Sequence, residues 1–138
     1  MSDDRVARVR ALGKEHARVE TEGDLPATMA TLVANPVYEF LPVGGLLEGR
    51  DEVEQYYQHL IGSFLPRVEE ARLIDDWCNE RSLVEEYEMD VRVDGTVEQH
   101  RVTGILLFDG DLMTGERIWG GERALRLMLG DELFDALR

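Results

Sequence analysis

Hydrophobic and polar positions alternate with two different periods along this chain. Val6, Val9, Leu12, His16 and Val19 recur at spacings of three and four, which predicts a helix over residues 3 to 22 and places His16 inside its apolar stripe. Gly23 stops that helix and Asp24 is a good N-cap for a second, with Pro26 in its first turn. The second helix turns Leu25, Met29, Leu32 and Val33 inward and is expected to end at Asn35-Pro36, because the residue before proline avoids helical angles. A short strand follows from Val37 to Leu41, closed by Pro42. Gly44, Gly45 and Gly49 mark a loop. A third helix is expected from Asp51, with Glu54 completing a capping box and Val53, Tyr57, Leu60 and Phe64 as its inward stripe up to Pro66.

Beyond Pro66 the period changes to two. Strands are predicted over roughly residues 71–79 and 84–93. In the second, Tyr87, Met89, Val91 and Val93 alternate with Glu86, Glu88, Asp90 and Arg92, the pattern of a half-buried strand. The stretch Val97 to Gly120 reads as a long hairpin about Asp109-Gly110-Asp111. Its first arm is apolar on both faces, so it lies centrally in its sheet. A last helix spans Glu122 to Leu129, broken by Gly130. Helices segregated from a largely antiparallel sheet make an α+β fold. A strongly curved sheet with three N-terminal helices over its concave face encloses a cone-shaped pocket.

The length of 138 residues suits one domain over residues 1–138. The formal net charge of −14 opposes nucleic acid and anionic membranes, so neither is an expected partner. Cys78 is alone, which forbids an internal disulfide, and residues 1–10 carry charge instead of an apolar signal core. With no apolar run of membrane-spanning length, the expected location is the cytoplasm.

Several motifs resemble the nuclear-transport-factor-two-like superfamily, and within it the SnoaL-like branch. They are Glu22-Gly23-Asp24-Leu25, Val37-Tyr38-Glu39-Phe40-Leu41-Pro42, Glu48-Gly49-Arg50, and the meander closing on Arg117-Ile118-Trp119-Gly120. The resemblance spans nearly the whole chain and implies a cystatin-like α+β roll with a conical cavity, often dimeric through its sheet. Ketosteroid isomerases of that superfamily carry a base aspartate where this chain has Leu41 and an oxyanion-binding aspartate where it has Gly104. A steroid isomerase of that type is therefore not expected. Their pocket tyrosines align with His16 and Tyr57. The arginine and aspartate of limonene-epoxide-hydrolase-like members are not evident in Glu85-Glu86-Tyr87-Glu88.

If the resemblance sets the facing, the inward residues are His100, Val102, Gly104 and Leu106, then Gly115, Arg117 and Trp119. Tyr87, Met89 and Val91 join them, with Glu85 at the rim and Glu39 and Leu41 on the first strand. The candidate catalytic set is His100 and His16 as acid and base, Tyr57 and Arg117 as oxygen polarisers, and Glu39 as base or as the counterion of Arg117. Trp119, Tyr87, Met89, Leu41, Val102 and Gly104 would form the substrate wall. Each has a plainer reading: an idle strand-end histidine, a bonded core histidine, a core tyrosine, a structural salt bridge. His16 and Glu20 are four apart on a helix, a pattern too weak to imply a metal site. No nucleotide-binding glycine motif is present.

The expected function is cofactor-independent proton transfer on a small apolar carbonyl compound, as in a dehydratase, isomerase or polyketide-cyclase-like enzyme. A non-catalytic ligand-binding or dimerisation module is the alternative. Epoxide hydrolysis, with Glu39 as the base, is a third reading. Ile105, Leu107 and Ile118 are expected on the outer sheet face, which predicts a homodimer through it.

Overall fold

In the computed structural model, which describes residues 2–137, the first two helices open at residues that favour capping. Ser2 Oγ accepts from the Arg5 amide and starts α1 (Asp3–Thr21), with Asp3 and Asp4 at the positive end of the helix dipole. Asp24 Oδ1 accepts from the Ala27 amide at 3.0 Å and starts α2 (Leu25–Ala30). This helix is shorter than its apolar pattern suggests. The chain leaves it to form β1 (Leu32–Leu41), so Leu32 and Val33 are strand residues. Tertiary contacts decide this. Leu32 pairs with Met113, the Met113 amide donates to the Thr31 carbonyl at 2.9 Å, and the Arg50 guanidinium donates to the carbonyls of Met29, Leu32 and Val33.

Gly45–Glu48, expected as loop, forms the short strand β2 against β1. Next comes α3 (Arg50–His59), which begins at Gly49 with no side-chain cap. The expected capping box is absent, and Glu52 Oε1 instead accepts from the Glu48 amide at 3.0 Å. A π-helical turn, Leu60–Phe64, and a 3-10 turn, Leu65–Arg67, carry the chain into β3 (Val68–Cys78). β4 (Ser82–Val93), β5 (Thr96–Asp109) and β6 (Leu112–Gly120) complete the meander, and α4 (Glu122–Leu129) and α5 (Asp131–Asp135) follow.

The six strands form one sheet in the order β2-β1-β6-β5-β4-β3. Neighbours are antiparallel except β1 and β6, which run parallel. The fold is α+β, with helices over one face of this mixed sheet. Gly13 is where α1 comes nearest β4: a Cβ there would lie 2.4 Å from Leu83 Cδ2. Arg5 donates to the carbonyls of Glu80 and Gly110, and Arg8 pairs with Asp111, which fastens the start of α1 over two hairpin turns. Tyr38, Phe40, Tyr57, Leu83, Met113 and Leu125 are fully buried between helices and sheet.

One irregularity controls which residues face inward. Phe108 pairs with Met113, but Leu107 pairs with Gly115, leaving Thr114 as an extra residue in β6. A one-residue bulge reverses every side chain beyond it. Glu116 and Ile118 therefore point inward opposite Leu106 and Gly104, whereas Arg117 and Trp119 point out. The bulge lies against β1, and a Cβ on Gly115 would stand 1.8 Å from the Val37 carbonyl oxygen. Gly115→Ala should thus destabilise the fold by about 3 kcal/mol or more in urea unfolding. Gly121→Ala, with open space around it, should leave the midpoint unchanged.

Candidate active site

Between α1, α3 and the sheet lies a cavity of about 150 Å³. That is room for a ligand of about one six-membered ring. Its mouth is framed by small or half-exposed residues, Ala17, Thr21, Leu65 and Ala71. Its walls are apolar: Tyr56, Leu60 and Phe64 from the helical side, Met89, Val102, Leu106 and Ile118 from the sheet, and Met128 from α4. Set among these are His16, Glu20, Glu85, Tyr87 and Glu116.

His16, 2% exposed, is held at both ring nitrogens. The Thr31 hydroxyl donates to the Thr28 carbonyl at 2.6 Å and so can only accept from His16 Nδ1, 2.7 Å away. Nδ1 therefore carries a hydrogen. Nε2 has two neighbours, the Tyr57 hydroxyl at 3.0 Å and Glu20 Oε2 at 3.2 Å. Tyr57 can donate to Nε2 when the ring is neutral, and Glu20 can receive its hydrogen when the ring is charged. The nitrogen thus has a partner in either protonation state. Behind it, the Tyr57 hydroxyl is bonded to that of Tyr38. Burial pushes both phenols well above their ordinary range, so both stay protonated.

Glu116 differs from the other two acids of the cavity, Glu20 and Glu85, because it has no ion pair or hydrogen bond among the described residues. Its carboxyl rests against Gly104, where a Cβ would lie 2.5 Å from Glu116 Oε2. Burial lifts this carboxyl well above its ordinary value near 4.5, and the charges of Glu20 and Glu85 add to the shift. Its surroundings favour the uncharged form of this carboxyl, which faces an apolar hollow. Glu85, by contrast, is 4% exposed and paired: Lys14 Nζ donates to its Oε2 at 2.7 Å and the Tyr87 hydroxyl donates to the same oxygen at 3.3 Å. Partial burial pulls the Lys14 ammonium down, but its bonds to Asp76 and Glu85 outweigh that and leave it raised.

The candidate residues from the sequence divide cleanly by position. His16, Tyr87, Met89, Val102 and Gly104 line the cavity. Tyr57 stands behind it as the partner of His16. His100 lies outside: its Nε2 meets Glu98 Oε1 at 2.9 Å, beside Arg123, and Arg123 and His100 together hold Glu98 down to about 2. β5 simply outruns the cavity there. Arg117 and Trp119 are on the outer face because of the Thr114 bulge, and Trp119 is 44% exposed. Glu39 and Leu41 are on that face too, since Tyr38 and Phe40 take the buried positions of β1. Glu39 and Arg117 sit across from each other in β1 and β6 without an ion pair among the described residues. The expected Glu39–Arg117 clamp is thus not formed, and the epoxide-hydrolysis reading loses its base. Ile118, expected outward, is buried inside.

Glu20 and Glu116 were not singled out in sequence. Glu20 had a visible signal, its i,i+4 spacing from His16. For Glu116 the signal was Gly104, a mid-strand glycine that marks close approach of another group.

No family model matches the chain, and no curated protein does. Solved structures do. One is Bal32a from a soil-derived mobile gene cassette, at 11% identity and TM-score 0.71, covering 94% of this chain and 98% of that one. Another is an NTF2-like protein from Anabaena variabilis, at 19% identity and TM-score 0.71, covering 88% and 93%. A third, from Kribbella flavida, is provisionally named a ketosteroid isomerase, at 14% identity and TM-score 0.70, covering 85% and 80%. This chain has the NTF2-like fold. At these identities the likeness concerns the fold alone. Among the described residues, no three His, Cys, Asp or Glu side chains are grouped to hold a metal ion, and no helix is long and apolar enough to cross a membrane.

The raised Glu116 carboxyl couples stability to pH. The unfolded chain releases this proton near 4.5 whereas the folded one retains it, so rising pH favours unfolding until the folded value is reached. Relative to Glu116→Gln, the wild type should lose stability between pH 5 and pH 8 in urea titrations. A constant difference across that window would contradict a raised value.

Proposed function

We propose that this NTF2-like chain catalyses proton transfer on a small, uncharged carbonyl compound, in the manner of an isomerase or dehydratase. The observation that carries the reading is a pair of acids in unlike surroundings within one apolar cavity: Glu116, without a polar partner among the described residues and shifted toward its protonated form by burial, and Glu20, beside His16 Nε2. Two acids placed in unlike surroundings are the raw material of acid–base catalysis. Glu20 takes a proton from the carbon next to the carbonyl. The electron pair moves onto the carbonyl oxygen, which receives a hydrogen bond from the Glu116 O–H. The proton on Glu20 can pass to His16 Nε2, 3.2 Å away, and return to a different carbon or leave with a hydroxyl as water. A base and an oxyanion donor suffice for this chemistry, so the reading calls on no cofactor. Membership of the SnoaL-like branch and a cytoplasmic location remain part of the reading, supported by the sequence motifs and composition already described. The Kribbella neighbour's provisional name is consistent with isomerase chemistry.

Exchange of ketone α-hydrogens for deuterium, followed by NMR with cyclohexanone and its small derivatives, tests the activity without a known substrate. The wild type should accelerate exchange. Glu20→Gln should lower the rate at least about 100-fold, and Glu116→Gln about 10- to 100-fold. Exchange by the wild type no faster than buffer favours a non-catalytic binding protein.

We also propose that two copies pair through the outer sheet face, where Trp77 and Trp119 are about half exposed beside Ile105 and Leu107. Leu107→Asp should convert a dimer to monomer or aggregate in light scattering. An unchanged dimer would count against this face.

A further inference from the structure

Glu85 is a buried carboxylate with two unlike oxygens. Oε2 receives both the Lys14 ammonium and the Tyr87 hydroxyl. Oε1 has no partner among the described residues, yet no side-chain polar atom fully cut off from space lacks one. With the residue 4% exposed and lining the cavity, the space left to Oε1 is the cavity itself. Lys14 approaches from the surface side, 39% exposed, where it also holds Asp76, which in turn holds Arg10. A chain of charges therefore ends at Glu85 and leaves one lone-pair-bearing oxygen on the inner wall.

An ion pair of this kind stays buried at a desolvation cost, which is reduced if the free oxygen accepts a hydrogen bond. The charge of Glu85 is already matched by Lys14. What Oε1 lacks is a hydrogen, not a counterion. Glu116 elsewhere on the wall has no polar partner among the described residues, and in the protonated form that burial favours it offers an O–H without an acceptor. The two polar ends of the hollow thus ask for a ligand with both an acceptor and a donor.

We propose that Glu85 Oε1 is a specificity-determining acceptor that selects a neutral hydroxy-carbonyl ligand, its O–H donating to Glu85 while its carbonyl faces Glu116. The carbonyl half rests on the proton-transfer reading; the hydroxyl half stands without it. A site built around a hydroxyl discriminates strongly against the analogue lacking it, because its own buried group is then left unpaired.

Ligand-observed NMR titration with cyclohexanone, 3-hydroxycyclohexanone, 4-hydroxycyclohexanone and 4-aminocyclohexanone tests this, with α-hydrogen exchange followed in the same samples. At least one hydroxyketone should bind the wild type roughly 10- to 100-fold more tightly than cyclohexanone and more tightly than the amine. Glu85→Gln, which turns an amide N–H₂ toward the cavity while its oxygen stays with Lys14, should erase that preference. Equal affinities, a preference for the amine, or no binding of any hydroxyketone at millimolar concentration would overturn the proposal. If Glu85→Gln does not fold, the wild-type comparison alone decides. Hydroxyl preference without exchange would remove the catalytic reading and leave this one, and exchange without hydroxyl preference would do the reverse.

Discussion

Thr114 is the extra residue that lets β6 pair with β5 in two registers, and everything that is chemical about the cavity depends on it. Before the bulge, Met113 faces inward beside Phe108. After it, Glu116 and Ile118 do. Without that insertion the inward positions would fall to Gly115, Arg117 and Trp119, and a permanent cation would occupy the hollow. With it, the hollow receives a carboxyl that apolar burial shifts toward its protonated form. The close fit of Gly115 against the Val37 backbone and of Glu116 against Gly104 shows that both sides of the bulge are built for this arrangement.

The electrostatics of the cavity follow from the same geometry. The chain carries a formal charge of −14, yet the acids that line the cavity are individually accounted for. Glu85 is matched by Lys14, Glu20 stands beside His16, and burial shifts Glu116 toward its uncharged form. A hollow lined by acids, with the one cation on Glu85 already spent on that pair, disfavours anions. Its unmet demand is for hydrogen bonds, and small neutral oxygenated molecules answer that demand.

Much of this was legible in the chain. The first helix, the Asp24 cap, the meander and its Asp109-Gly110-Asp111 turn are written in strong local periodicity, and the helical stripe placed His16 inside. The facing of β6 was not legible, because a single extra residue leaves no local mark when Thr114 fits either face of a strand. Strand β2 escaped notice because four residues, Gly45–Glu48, are too few to show a period. The end of α2 was misplaced because Leu32 and Val33 continue a helical stripe, while pairing with β6 and the Arg50 guanidinium decide otherwise. His100 shows a related limit: alternation gives the face of a strand correctly but not where the cavity beneath it ends.

The protonation state of Glu116 is measured most directly by a carbon-13 titration of glutamate side-chain carboxyls, with the Glu116 resonance assigned by its loss in Glu116→Gln. This signal should keep its protonated position to clearly higher pH than the ordinary glutamate value near 4.5. A Glu116 signal that titrates near 4.5 would place an ordinary carboxylate in the cavity and contradict a protonated Glu116.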